Sequence, residues 1–211
     1  MNELQVIKYE NTSDKIKHLK SQLPEGKMTL KEFFNFYDTR ELIMILLIAP
    51  FLIPFSIPGS STPFGILIIL LALGEIFNRR FYLPNFVGNH ELSHDTVEKL
   101  FNIIIKALGY IEKIVKPRGK MVKYPKVQKI NLFMCILLSI LLFLPLPIPF
   151  TDFFPAASML LLLVSNIEND SYLMILGYVM SIVTFIYFYN MGSLGIEIIL
   201  QVINYALSYI H

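Results

Sequence analysis

The run His90-Glu91-Leu92-Ser93-His94 has the H-E-x-x-H spacing. On a helix its two histidines would share one face four residues apart and bind zinc, with Glu91 as general base towards the metal-bound water. The pattern fixes only three positions, and its surroundings argue against that chemistry. Asp95 with Glu98 forms a capping box that starts a helix after His94, which leaves both histidines on a loop. A third ligand would have to come from Glu98 or Glu112. The run therefore reads as a polar surface stretch, with His90 and His94 weak zinc candidates and a zinc metallopeptidase a minor alternative. No cofactor and no enzymatic activity are expected. The single cysteine, Cys135, lies inside the apolar run NLFMCILL, so neither a disulfide within the chain nor a cysteine zinc site is available, and its role is packing.

Hydroxyl-bearing residues beside prolines offer a second chemistry. Ser60, Ser61, Thr62 and Pro63 read as a helix start, with Thr62 at the N-cap and Pro63 at the first helical position. Thr151, Asp152 and Pro155 do the same further on. Two helix N-termini meeting inside a membrane would present free amides and positive dipole ends to one place, an arrangement that favours an anion. Ser60, Ser61, Thr62 and Thr151, with Arg79 and Arg80, are the candidate anion contacts. The alternative is that the hydroxyls only satisfy a broken backbone. Asp152 would repel a phosphate unless protonated or paired; it could instead carry a proton or cation, or simply cap its helix. Glu168 and Glu197 extend that cation option, although a lone acid such as Glu197 also fits a place near a membrane interface.

These residues are held by a chain whose composition is that of a membrane protein. Of its 211 residues, 55% are hydrophobic and only 16% charged, against roughly 25% charged in soluble domains, and the mean hydropathy is +0.58. An ordinary soluble enzyme is excluded. All 18 Lys and Arg lie between Lys8 and Lys129, and the acids beyond residue 130 are Asp152, Glu168, Asp170 and Glu197. Nine of the basic residues fall between Lys99 and Lys129, which marks that stretch as cytoplasmic and suited to anionic lipid head groups. A nucleic-acid partner is not expected, because it would not require the apolar half. With no apolar core of a signal peptide in the first forty residues, the N-terminus is expected in the cytoplasm.

Apolar runs cover Leu42 to Ile57, Phe64 to Phe77, Leu132 to Ile148, Phe153 to Ile167, Tyr172 to Tyr189 and Leu194 to Ile210. The first four form two pairs, joined by APFLIPFSIPGSSTPF and LPLPIPFTDFFP, which hold Pro50, Pro54, Pro58, Pro63, Pro145, Pro147, Pro149 and Pro155. Proline removes an amide donor and clashes with the preceding turn, so the helix breaks there. Pro54 aligns with Pro145 and Pro58 with Pro149; after one inserted residue, Pro63 falls on Pro155 and Asn78 on Asp170. GKM precedes each block, at Gly26 and at Gly119. An internal duplication is expected. From Leu42 to Ile53 a helix is about 18 Å long and from Phe64 to Phe77 about 21 Å, against a hydrocarbon core of about 30 Å. Each pair is therefore expected to be a re-entrant hairpin, kinked full spans being the rival. The expected class is an all-α integral membrane protein. Its parts are a polar N-terminal segment with a short amphipathic helix (1–40), a first broken hairpin (41–80), a basic segment with an amphipathic helix over Thr96 to Lys116 (81–130), a second hairpin (131–171) and a C-terminal transmembrane helix pair that turns at YNMGS (172–211).

The segments GKMTLKEFF, LIPFSIPGSSTPFGILIILLALGEIFNRRFYLP, LGYIEKIVKPR and LPLPIPFTDFFPAASMLLLL resemble the ExoD family of bacterial membrane proteins, from about Gly26 to the C-terminus. The resemblance implies a place in the bacterial cytoplasmic membrane and a part in exopolysaccharide production and envelope adaptation, and it implies a process rather than a reaction. Glu75 departs from the neutral polar residue that would be less surprising at its position. The expected function is to bind or move a lipid-linked or phosphorylated carrier such as polyprenyl phosphate, with anionic lipid as a further partner and a homodimer as the assembly. A non-catalytic scaffold of a polysaccharide synthesis complex and a proton or cation transporter are the alternatives.

Overall fold

The computed structural model describes residues 12–22, 26, 28–29, 32, 40–53, 61–78, 91–111, 113, 116, 118–143 and 150–208, the side chains of 28, 91–92 and 194–208 excepted. Among them the architecture is helical. The elements in order are α1 (Thr12–Ser21), β1 (Met28–Thr29), α2 (Arg40–Ile48) with a 3-10 extension (Ala49–Leu52), α3 (Ser61–Ile76), β2 (Glu91–Leu92), α4 (His94–Ile111), α5 (Pro125–Phe143), α6 (Phe153–Glu168) and α7 (Ser171–Ser208). The two short strands pair antiparallel, Met28 with Leu92 and Thr29 with Glu91.

Helix α2 is apolar on every side from Leu42 onward, a pattern that demands burial all round. Every residue from Leu42 to Ala49 is buried. Pro50 tightens its end into the 3-10 turn, as a residue without an amide hydrogen does at a break. Around it the contacts close a ring: α2 touches α3 and α6, and α5 also touches α3 and α6. Helix α7 lies outside against α6, while α4 covers α2 and its 3-10 extension. The α3–α5 contact is a close backbone approach at Gly65, where an added Cβ would stand 3.0 Å from the Ser139 carbonyl oxygen. Small residues at such crossings let helices pack where lipid offers no hydrophobic drive to associate.

Among the described residues two helices are long and apolar enough to cross a membrane, Pro125–Phe143 and the Ser171–Ser193 part of α7. Both leave large apolar side chains outside: Phe133 and Ile140 on α5, and Ile175, Val179, Ile182 and Ile186 on α7. Spaced three or four apart, the α7 residues form a continuous stripe suited to lipid.

Several expectations are corrected. The C-terminal pair is one uninterrupted helix of 38 residues, about 57 Å long. The YNMGS segment fails to turn because its polar side chains bond back to the helix itself: Asn190 Nδ2 donates to the Ile186 carbonyl and Ser193 Oγ to that of Asn190. Helix α4 begins at His94 rather than after it, because Ser93 and not Asp95 caps it; Ser93 Oγ accepts from the Thr96 amide at 3.3 Å. Glu98, freed from the expected capping box, pairs with Lys20 of α1 at 3.0 Å. The apolar spacing predicted for this helix holds: Val97, Phe101, Ile104 and Leu108 are its buried residues.

The two helix pairs have matching local features. Helices α3 and α6 each have 16 residues with proline third, Pro63 and Pro155. Each is followed within two residues by an asparagine in the left-handed region, Asn78 (φ 51) and Asn169 (φ 54). Gly26 and Gly119, the glycines of the two GKM segments, both have positive φ, a conformation that glycine reaches without steric cost.

Candidate functional site

Hydrogen bonds fix which helix ends lie together. At one end, Arg40 at the start of α2 meets Glu75 near the end of α3 at 3.1 Å, and Glu41 meets Asn166 near the end of α6 at 3.2 Å. Asn166 in turn joins Asn131 in the first half of α5 at 2.6 Å, and the Ser171 amide at the start of α7 donates to the Arg118 carbonyl at 2.8 Å. Neighbouring helices around the ring therefore alternate in direction, and both pairs start and finish at this end. It also carries Lys116, Arg118, Lys120, Lys123, Lys126 and Lys129, and we call it the basic end.

The polar groups here form a directed chain across four helices. Tyr178 OH of α7 donates to Asn131 Oδ1 at 2.7 Å. Asn131 Nδ2 donates to Asn166 Oδ1, and Asn166 Nδ2 donates to Glu41 Oε1 and, at 3.4 Å, to the Gln128 carbonyl. Asn131 and Asn166 are buried. A carboxylate is acceptor-only, so Glu41 is the natural terminus of a chain in which every other member donates onward. It stands just outside the apolar run that begins at Leu42. Burial pushes its carboxyl up to about 7; the Asn166 bond opposes the rise, the Glu75 charge adds to it and Lys15 opposes it. None of this quartet was singled out in the sequence. The available signal was the placing of Glu41 and Asn131 directly before apolar stretches and of Asn166 inside another.

The remaining acids at this end have local partners. Glu168 Oε1 is buried and accepts from the Thr12 amide and hydroxyl, anchoring α1 to the end of α6. Asp170 caps α7 by accepting from the Tyr172 amide at 2.9 Å, and its other oxygen accepts from the Lys116 amide at 3.0 Å. The side chain of Glu197 lies outside the described residues.

At the opposite end Thr62, one of the predicted tip residues, reaches the end of α5. Helix α3 starts at Ser61, so Thr62 and Pro63 lie inside it; Thr62 Oγ1 donates across to the Phe143 carbonyl at 3.2 Å instead of capping its own helix. Ser61, Thr151 and Asp152 are buried. Asp152 precedes α6 without a side-chain capping bond, because the turn is made by Phe150 at φ 65, whose carbonyl takes the Phe154 amide. The structure thus brings Thr62 to the end of α5, from which the chain continues to Thr151 and Asp152. Ser60, Arg79, Arg80, Pro54, Pro58, Pro145 and Pro149 lie outside the described residues, as does His90. Glu91 sits in a strand and His94 opens a helix, so the backbone does not place H-E-x-x-H on one helical face. Among the described residues no group of three His, Cys, Asp or Glu is placed to hold a metal.

With this geometry in place, comparison with known proteins becomes informative. The family model for exopolysaccharide synthesis, ExoD, matches residues 12–190. The chain is 30% identical over 187 residues to Protein ExoD of Rhizobium meliloti (strain 1021), covering 85% of this chain and 77% of that one. It is 28% identical over 166 residues to an uncharacterized protein of Synechocystis sp., covering 75% of this chain and 78% of that one. No solved structure matches. The matched span takes in the helix ring, both ends described above and the apolar part of α7, and the chain belongs to the ExoD family of exopolysaccharide synthesis.

Proposed function

We propose that this chain is a multi-pass protein of the bacterial cytoplasmic membrane, its N-terminus and basic end in the cytoplasm, that binds or moves a lipid-linked or phosphorylated carrier used in making exopolysaccharide. The family supplies the process. The observation that supports the finer reading is the Thr62 hydroxyl's bond to the Phe143 carbonyl, which sets the start of α3 beside the end of α5. The first turn of each helix has amides with no partner inside the helix, and its dipole favours negative charge. Matching lengths, prolines, left-handed asparagines and GKM glycines support reading the two pairs as duplicated half-sites. The hydroxyls of Ser60, Ser61, Thr62 and Thr151, with Arg79 and Arg80, are the contacts proposed for a phosphate.

Full-length protein in liposomes should bind polyprenyl phosphate, and inorganic phosphate should compete. Replacing Ser61 and Thr151 by alanine and valine should weaken that binding at least tenfold while insertion is preserved. Polyprenyl phosphate binding that survives both changes, or that is absent from the intact protein, contradicts the reading. In the second case a non-catalytic scaffold of a synthesis complex takes its place.

A further inference from the structure

We infer that Glu41 is a proton-binding site at the basic end, a carboxyl that exchanges its proton with the cytoplasm and is read out by the Asn166–Asn131–Tyr178 chain behind it. This goes beyond carrier binding and uses none of the tip residues. Three observations carry it. Glu41 is, among the described residues, the ionisable group that accepts from this chain, and its acceptor oxygen is held by an amide whose other bonds tie α5 and α6 together. The amide chain is directional: with Glu41 ionised, every donor finds an acceptor, whereas protonation places a donor on the carboxyl and weakens its pull on Asn166. The groups facing the carboxyl also balance only in part. From α4 the buried side chains are Val97, Phe101, Ile104 and Leu108, none of them titratable. From α3 comes Glu75, a like charge half neutralised by Arg40. Lys15 acts from α1, the Cys135 thiol lies within electrostatic reach on α5, and α6 offers the neutral Asn166. Burial and the Glu75 charge favour the protonated carboxyl while the Asn166 donor and Lys15 favour the ionised one, so a carboxyl so placed is balanced between the two forms.

The consequence is a link between cytoplasmic pH and helix packing. Ionised Glu41 draws α2 to α6 through Asn166; protonated Glu41 loosens that tie without creating a buried charge. The bond between Asn166 and Asn131 remains in both states, so the change is confined to the α2 side of the ring.

The test is labelling of the full-length protein in lipid nanodiscs with a hydrophobic carbodiimide, which reacts with protonated carboxyls, mapped by mass spectrometry over a pH series. Glu41 should be modified with a half-point of about 7. Glu75→Gln, a change at a half-exposed residue that leaves the ring packed, should move the half-point down, and Asn166→Ala should move it up, each by about half a unit or more. Labelling of Glu41 that is flat from about pH 5 to about pH 9 would overturn the inference. So would a half-point unmoved by Glu75→Gln, or pH-dependent labelling that falls on Glu168 or Asp152 and spares Glu41. Because the tips are untouched, polyprenyl phosphate binding should persist in Glu75→Gln, which separates failure of this inference from failure of the carrier reading.

Discussion

The two helix pairs share a plan and differ in where they stand. In the α5–α6 pair the first helix has 19 residues and an outward face carrying the exposed Phe133 and Ile140. In the α2–α3 pair the first helix has nine residues, all of them from Leu42 on buried by α3, α6 and α4. The shorter first helix is the one wrapped by its neighbours, and the longer one keeps an open apolar face. A helix wrapped by neighbours can end early at Pro50, because its broken backbone is shielded by the amphipathic α4 lying over the 3-10 turn.

The sharpest way to break this comparison is at the joint between the pairs. Gly65→Leu drives a side chain into the Ser139 carbonyl and the Phe143 backbone, which cannot withdraw without parting α3 from α5. The expected cost is about 3 kcal/mol or more, read as loss of monodisperse protein in detergent. Next in size is a direct contrast of interior with lipid face. Met44→Ala should cost about 2 to 4 kcal/mol in thermal unfolding, since Met44 is fully buried. Phe133→Ala, on the outward face of α5, should cost about 0.5 kcal/mol or less. Equal costs would mean that α2 is not the interior member.

The ends of the pairs are tied down differently, and this too can be measured. The α6 end is anchored by Thr12 on the buried Glu168, so Thr12→Val, which leaves that carboxyl short of a donor, should cost about 1 to 3 kcal/mol. The α3 end is anchored by the half-exposed Arg40–Glu75 pair, and Arg40→Leu should cost about 1 kcal/mol or less.

A further effect depends on pH. Folding raises the Glu41 carboxyl from its ordinary 4.5 to about 7, so the fold favours the protonated form. Stability is complete below about pH 4.5 and falls as the pH rises to about 7, after which it is constant. Glu41→Gln removes that loss. It should be neutral near about pH 4.5 and stabilising by about 1 to 2 kcal/mol above about pH 7, discounted because the carboxyl is not wholly sealed from water.

Much of this layout could be read from residue order. Apolar runs interrupted by prolines give the helix pairs, the spacing of Val97, Phe101, Ile104 and Leu108 gives α4, and the concentration of lysine and arginine before residue 130 gives the basic end. What escaped depends on contacts far apart in sequence. Glu41 and Asn166 are 125 residues apart and acquire meaning only when α2 meets α6. Thr62 has the composition of a cap but spends its hydroxyl on a carbonyl 81 residues away. The YNMGS segment has turn-forming residues, yet nothing in it forbids a helix as proline does, and side-chain bonds to the preceding turn carry α7 straight through.

The central claim is that both pairs enter the membrane from the basic end. It is tested most directly by labelling single-cysteine variants, built in a Cys135→Ala background, with a membrane-impermeant thiol reagent in intact cells and in inverted vesicles. Cysteines placed at Lys106 and Lys123 should react only in inverted vesicles, and one at Phe150 should not share that pattern. Reaction of the Lys106 and Lys123 variants from opposite faces of the membrane, or of all three from the inner face alone, would contradict the account.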